Sequence, residues 1–340
     1  MDIREIDSAR YGEWDAFVRA APAGTFFHLS GWKSVMEKSF RHRTYLLCAE
    51  VAGAIIGVLP LVHIKSRLFG RSLISMAFCT YGGPIGSDDA IAALDEKARA
   101  LAAELDVNYL EYRSIERSFP SYKCKDNLYV TFRKAITADH DANMKAIPRK
   151  QRAMVRKGIG FELQGELDSS PERLYRIYSE SVRNLGTPVF PKCLFGNLAE
   201  AFGENCDILT ITHKGQPLAS VMNFYFRDEV LPYYGGSVIA AREVAANDFM
   251  YWEVMRRAAD RGYRIFDYGR SKVGTGSYSF KKNWGFEPRP LHYEFHLRRG
   301  DELPDVSPKN PKYQAMIAAW KKLPLPVANF IGPFISPALG

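Results

Sequence analysis

Apolar positions recur at helical spacing over residues 1–40. Trp14, Phe17 and Val18 are followed by Trp32, Val35 and Met36, with Ser30 placed to cap the second helix. From Thr44 the pattern changes. Tyr45–Ala49 and Ile55–Val62 are almost continuous apolar runs separated by Ala52-Gly53, the pattern of a β-hairpin. Thr80-Tyr81-Gly82-Gly83-Pro84 reads as a strand end and turn. Behind Asp88, a candidate cap, Ile91, Leu94, Ala98, Leu101 and Leu105 form one helical stripe, and Tyr109–Ser114 reads as a strand.

Residues 170–271 repeat this order. Ser170-Pro171 opens a helix with Leu174, Ile177, Tyr178, Val182 and Leu185 on one face. Strands over Ile208–Thr212 and Leu218–Met222 flank the turn Lys214-Gly215, and Tyr233-Tyr234-Gly235-Gly236 follows. Asn247 or Asp248 is placed to cap a helix with Phe249, Trp252, Met255 and Ala259, which Gly262 ends, and Arg264–Ser271 is a strand. Gly53–Gly57 answers Gly215–Ala219, Tyr81-Gly82-Gly83 answers Tyr234-Gly235-Gly236, and Leu110–Ser114 answers Phe266–Ser271. The interval from Gly83 to Glu111 is 28 residues and that from Gly236 to Asp267 is 31. Several agreements in one order indicate a tandem duplication. The period is too long for a solenoid, so the chain is predicted to hold two related α/β domains, 1–143 and 144–303, with a Pro-rich tail, 304–340.

One stretch breaks the symmetry. Phe266-Asp267-Tyr268-Gly269-Arg270-Ser271-Lys272 runs into Gly274-Thr275-Gly276, Tyr278, Phe280-Lys281-Lys282 and Trp284-Gly285-Phe286-Glu287-Pro288. The first half has no such continuation and runs Ile115–Pro120 instead. A glycine-rich loop at a strand end, dense in Lys, Arg and Tyr, suits a ligand site, so a single working site in the second domain is expected.

Lys145–Lys157 holds six Lys or Arg in 13 residues. As a helix from Pro148 to Gly158 it aligns Arg149, Arg152 and Arg156, and arginine forks suit phosphate oxygens, although a solvated helix face has the same pattern. Residues 304–340 contain seven prolines, which predicts an irregular tail after a short helix over Pro311–Lys322 with Tyr313, Met316, Ile317 and Trp320 on one side. The apolar Leu323–Leu339 is expected to pack on a domain or to touch lipid with Lys321 and Lys322 at the headgroups.

Composition changes this picture little. The net charge of +8 suits an anionic partner, and 13% aromatic residues suit clefts as well as cores. Cys48, Cys79, Cys124, Cys193 and Cys206 form no C-x-x-C pair, which predicts reduced thiols. With no signal-like start and no spanning run, a cytoplasmic protein is expected, in contact with the inner membrane only peripherally. His292 and His296 alternate with Glu294 along a strand, and no metal site is expected there. No Gly-x-Ser-x-Gly nucleophile motif is present.

The hairpin, Tyr-Gly-Gly, helix and strand order resembles the N-acetyltransferase (GNAT) fold in tandem, which implies mixed β-sheets flanked by helices. Gly276–Gly285 resembles the Gly-x-Tyr-x-Phe-Lys-x-x-aromatic-Gly signature of the FemABX family, and Lys150–Lys157 is similar to the basic element opening that family's second domain. Those proteins move amino acids from aminoacyl-tRNA to peptidoglycan precursors. Gly269–Gly276, Trp284–Pro288 and Leu323–Pro326 resemble a narrower branch found at exosortase/PEP-CTERM loci with exopolysaccharide genes. The chain departs from the pattern twice. It has no coiled-coil insertion, and the nearest match to the acetyl-CoA loop is Ala241–Ala246, with Ala245 in the first glycine position.

The resemblance implies acyl or aminoacyl transfer to an amine of an anionic glycan or peptidoglycan precursor. The donor is aminoacyl-tRNA or acyl-CoA, and no cofactor is held tightly. Alternatives are acyl-CoA-dependent N-acylation of an amino sugar for exopolysaccharide, and a non-catalytic binder of a lipid-linked glycan. The amine must be neutral, the carbonyl oxygen needs a cation or N–H donors, and the leaving atom needs a proton. The family's Phe-Lys lysine falls on Lys281, which is expected to stabilise developing charge. Tyr268 and Asp267 are the further catalytic candidates. Substrate binding is expected at Arg152, Arg156, Arg270, Lys272, Gly274, Thr275, Gly276, Tyr278 and Trp284.

Overall fold

The computed structural model describes residues 1–66, 70–304 and 311–340, with the backbone alone over 311–313. The chain forms two compact units: Met1–Tyr129 with Pro290–Val306 and Ser336–Gly340, and Val130–Arg289 with Ser307–Ile335.

In the first unit, α1 (Tyr11–Ala20) and α2 (Gly31–Phe40) precede the hairpin. Ser30 stands at the start of α2 without capping it. Its N–H and Oγ–H both donate to Asp15, at 2.7 and 3.1 Å. Strands β1 (Asp2–Glu5), β2 (Thr44–Val51), β3 (Ala54–Ser66) and β4 (Gly70–Ser75) pair antiparallel in that order, and β5 (Ile85–Gly86) lies beside β3. β6 (Tyr109–Ser114) is parallel to β4. A parallel neighbour requires a crossover, and α3 (Asp88–Glu104) supplies it. Of its predicted stripe, Leu94 and Ala98 are buried and Ile91, Leu101 and Leu105 only partly so; Ala90 and Ala102 complete the buried face, against Leu47, Leu59 and Leu73 of the sheet. Its cap lies one residue earlier than expected, at Ser87, whose Oγ accepts from the Ala90 N–H. β7 (Lys123–Lys125) follows.

The second unit begins at β8 (Tyr129–Ala135), continues through α4 (His140–Ala146), α5 (Arg149–Gly160) and β9 (Gln164–Leu167), and repeats the first design. α6 (Glu172–Leu185) and α7 (Cys193–Phe202) lead to the antiparallel β10 (Cys206–His213), β11 (Gln216–Phe226) and β12 (Glu229–Ser237). Pro171 stands at the N-cap of α6, one position before the N1 expected for it. Tyr234–Gly236 lies inside β12, whereas its counterpart Tyr81–Gly83 lies beyond β4. α8 (Ala246–Asp260) crosses over to β13 (Ile265–Asp267), parallel to β12. Neither Asn247 nor Asp248 caps α8. Ala245 is its N-cap, at φ 56°, while Gly262 leaves the helix at φ 85° as expected.

The expected boundaries at 143/144 and 303/304 differ from these units, because each sheet takes a strand from the other half of the sequence. β8 pairs antiparallel with β13. After β14 (Ser271–Lys272), α9 (Gly276–Asn283) and β15 (Pro288–Pro290), the strand β16 (His292–Leu297) pairs antiparallel with β6 and β7 of the first sheet. Residues 130–143 therefore belong to the second unit.

The tail also differs from the irregular segment expected. α10 (Pro311–Lys321) is followed by α11 (Leu325–Ile335) and a short 3-10 turn, Ser336–Leu339. Pro324 precedes α11 and its carbonyl accepts from the Ala328 N–H, so this proline starts a helix where it was expected to break one. The expected position of the Tyr313 side chain, and the tail over 305–310, fall outside the described residues.

Candidate active site

The strand predicted over Arg264–Ser271 ends at Asp267, and Gly269 at φ 69° turns the chain before β14. A left-handed φ favours glycine. Asp267 is fully buried and holds this turn. Its Oδ1 accepts from the Gly269 N–H at 2.7 Å and from Thr131 Oγ1 at 3.3 Å, and its Oδ2 lies 3.7 Å from Arg133 Nε. Arg133 also pairs with Glu229. Thr131 and Arg133 come from β8, so the strand contributed by the first half of the sequence helps to hold the turn.

The segment after Gly274 forms a helix where a loop was expected. Thr275 is the N-cap of α9 and accepts from the Tyr278 N–H, while its own hydroxyl donates to the Lys272 carbonyl at 2.7 Å. Gly276 is the first residue of that helix and is exposed. One turn further on, Lys281 points inward and is 8% exposed. Its Nζ donates to the carbonyls of Gly269 at 2.9 Å and Arg270 at 3.0 Å, and lies 5.7 Å from the centre of the Phe132 ring and 5.6 Å from that of Tyr268. Burial lowers the Lys281 pKa to about 7, against the opposing pull of the Asp267 carboxylate.

Tyr268 lies within an aromatic cluster, its ring centre 4.6 Å from Tyr251 and 4.9 Å from Phe286. Its hydroxyl is buried without a hydrogen-bond partner, and so is that of Ser271. Burial pushes the Tyr268 pKa well up, so the group stays a protonated donor. The two hydroxyls stand three residues apart, and each retains hydrogen-bonding capacity on the segment that carries Lys281. The composition of the stretch gave no signal for Ser271, and nothing in it pointed to Thr131 or Phe132.

Trp284 was expected to touch substrate, but it is fully buried and gives its indole N–H to Asp248 Oδ1 at 3.0 Å. The same oxygen accepts from Gln151 Nε2 at 2.5 Å. Burial raises the Asp248 pKa, and these two donors oppose the shift. They join α5, α8 and the end of α9. α5 lies so close to α8 that a Cβ on Gly158 would stand 2.7 Å from Phe249 Cβ. Gly158 therefore serves close helix packing and does not end the helix, which continues to Gly160. Arg152 is half-buried and Arg156 exposed, on a different flank of α5 from the buried Gln151, Val155 and Gly158. Arg270 before β14, Lys272 on β14 and Tyr278 on α9 are half-buried, and Gly274 is exposed.

Residues 142–282 match a family model described as an acetyltransferase (GNAT) domain. A solved structure of FemX is 15% identical, with a TM-score of 0.68 over 86% of this chain and 97% of that one. A tandem GNAT protein of the clavulanic acid biosynthesis pathway is 13% identical, with a TM-score of 0.51 over 88% and 99%. The fold is a tandem GNAT fold. The C-terminal domain of a putative lysylphosphatidylglycerol synthetase from Agrobacterium fabrum is 12% identical, with a TM-score of 0.55 over 86% and 93%. No curated protein matches the sequence.

Within this GNAT fold, the segment compared with the acetyl-CoA loop, Ala241–Ala246, runs from the end of a 3-10 turn, Ile239–Arg242, to the first residue of α8, with Ala245 as the N-cap. Ala245 adopts a left-handed φ without being glycine. Among the described residues, one group has metal-ligand chemistry: Cys124, Asp126 and His292 in the first unit, with donor atoms within 4.8 Å of one another. Burial, and next the Asp126 charge, raise the Cys124 thiol pKa, so the thiol is not a ready nucleophile. Among the described residues, no helix is long and apolar enough to cross a membrane.

Proposed function

We propose that the second unit catalyses transfer of an acyl or aminoacyl group to an amine of a cell-envelope precursor, a peptidoglycan peptide or an exopolysaccharide amino sugar, at the cytoplasmic face of the inner membrane. The observation that carries this reading is Lys281, a buried amine with a pKa of about 7, on the same segment as the unpaired Tyr268 and Ser271 hydroxyls. In the reaction the acceptor nitrogen attacks the donor carbonyl. A C–N bond forms, the C–S or C–O bond to the donor breaks, the nitrogen loses a proton and the leaving sulfur or oxygen gains one. Lys281 places positive charge where the carbonyl oxygen becomes negative. Tyr268 donates to the leaving atom or to the carbonyl. Asp267 sets the Gly269 turn that presents both carbonyls bonded by Lys281. Arg270, Lys272 and the amides at Gly274-Thr275-Gly276 hold donor phosphate, with Arg152 and Arg156 on α5 as a second anionic contact and Tyr278 against the substrate. Trp284 supports these residues from the core.

The match to an acetyltransferase model supports acyl-CoA as donor. The basic flank of α5 supports a larger anionic donor, aminoacyl-tRNA. The purified protein is to be incubated with acyl-CoA, or with charged tRNA, and envelope precursors, and free CoA, deacylated tRNA and the modified acceptor measured. Turnover with one donor that Lys281→Met abolishes supports the reading. Binding of the precursor without turnover of either donor makes the protein a binder.

A further inference from the structure

α11 reads Leu-Pro-Val-Ala-Asn-Phe-Ile-Gly-Pro-Phe-Ile and carries one polar side chain, Asn329. That side chain is turned into its own unit, donating to Ser179 Oγ on α6 at 3.3 Å. Ala328 and Gly332 are buried on the same side, and a Cβ on Gly332 would lie 2.9 Å from Val189. The inner face of α11 is therefore packed against its own unit, with the Asn329 side-chain oxygen buried there without a hydrogen-bond partner.

The outer face is apolar. Val327, Phe330 and Phe334 stand at i, i+3 and i+7, on one stripe, and are 41%, 72% and 76% exposed. The two phenyl rings meet edge to face at 5.8 Å. Surface helices ordinarily turn charged or polar residues to water, and this one turns none. Met316 on α10 and Leu185 at the end of α6 add further apolar surface, at 60% and 68% exposure. The end of α6 lies against α10, where a Cβ on Gly186 would meet Ile317 at 2.5 Å. An exposed apolar stripe of this kind marks an interaction surface.

Charge identifies the occupant. Residues 311–340 contain Lys312, Lys321 and Lys322 and no Asp or Glu. Lys321 and Lys322 are exposed just before α11. Aromatic side chains on a segment whose only charged residues are lysines fit an anionic lipid surface, where rings enter the headgroup–acyl boundary and ammonium groups meet phosphates. α11 is too short to span a bilayer, so it would lie in the plane of the surface.

We propose that α11, together with Lys321 and Lys322, docks this protein on a membrane surface containing anionic phospholipid, with Phe330 and Phe334 as the inserted side chains. The inference uses α6, α10 and α11 alone and does not depend on the reaction proposed above.

The test is co-sedimentation of the full chain with phosphatidylcholine vesicles, with and without phosphatidylglycerol, alongside size-exclusion chromatography. Binding is expected to the anionic vesicles, weakened by salt. Phe330→Ser with Phe334→Ser is expected to reduce it at least about tenfold, and Lys321→Glu or Lys322→Glu about fivefold each. All four positions are exposed, and circular dichroism checks that the variants fold. Absence of vesicle binding, or binding indifferent to phosphatidylglycerol and to these variants, overturns the proposal. A dimer that Phe330→Ser with Phe334→Ser converts to monomer, without vesicle binding, also overturns it and makes the face a contact between two copies of the chain.

Discussion

Lys281 donates to the Gly269 carbonyl at 2.9 Å, and Gly269 in turn donates its N–H to Asp267 at 2.7 Å. The lysine and the aspartate thus hold opposite ends of one peptide turn. The lysine is buried and its pKa is lowered to about 7. Two of its three possible N–H donors are used on carbonyls, which leaves one for a bound oxygen.

That burial fixes the sign of a stability effect. In the unfolded chain Lys281 titrates near its ordinary 10.5, and in the folded chain near 7. Between these values the unfolded state binds more protons, so the contribution of this residue to stability rises with pH from about 7 to 10.5. Below pH 7 the full cost of burying the ammonium is present. Lys281→Met removes this dependence. Urea denaturation of both proteins across that range should show wild type gaining stability relative to the variant as pH rises. A constant difference contradicts the buried titration.

The same residue predicts a rate profile. If Lys281 acts as a cation in transfer, kcat falls as pH rises through about 7 and is low for Lys281→Met at every pH. A rate that instead rises through pH 7 makes the lysine a proton acceptor.

Gln151 and Trp284 share one oxygen of Asp248. Trp284→Phe should cost about 2–4 kcal/mol, because it takes a donor from a buried carboxyl group and leaves a cavity where the larger ring system packed. Combined with Gln151→Ala it leaves the carboxylate without both donors, so the double variant should lose more than the sum of the singles. Additive losses in a double-mutant cycle would contradict the shared network.

The elements that could be read from the sequence were those in which one periodicity sufficed. The β2–β3 hairpin, the stripe of α3 and the strand β6 follow from alternation, glycine placement and helical spacing. The exchange of β8 and β16 between sheets could not be read, because strand pairing depends on tertiary packing and leaves no trace in local periodicity. It matters for the site: Thr131, Phe132 and Arg133 stand beside Lys281 and Asp267 from a segment expected in the other domain. α9 was missed because Gly274 and Gly276 read as loop residues, whereas Thr275 between them is a helix cap. Trp284 looked like a ligand contact because an aromatic–glycine pair is common to loops and cores alike, and only burial separates the two.

Two glycines of α5 should respond oppositely to the same change. Gly158→Ala places a methyl 2.7 Å from Phe249 Cβ on α8, and α5 or α8 must shift, at a cost of about 1–3 kcal/mol. Gly160 has nothing within 4 Å of the corresponding position, so Gly160→Ala should stabilise by about 0.5–1 kcal/mol through helix propensity. Thermal melts of both variants check this. A stabilising Gly158→Ala would mean that the two helices are not locked together.

Tyr268→Phe separates a structural tyrosine from a functional one. The ring packs against Tyr251, Phe266 and Phe286, and phenylalanine keeps those contacts. The hydroxyl is buried and has no hydrogen-bond partner. Removing a satisfied buried hydroxyl costs about 1 kcal/mol, but removing an unsatisfied one relieves a desolvation penalty. The variant should therefore be as stable as wild type or slightly more so. If the hydroxyl instead completes its bonding on donor or acceptor, the cost appears in turnover, with kcat/KM lower by about 10–100-fold, the range for a lost hydrogen bond to a charged or developing-charge group. Stability without activity would place Tyr268 at the reacting atoms. Equal loss of both would make it a packing residue whose hydroxyl binds water, and would leave Lys281 and Ser271 to carry the site.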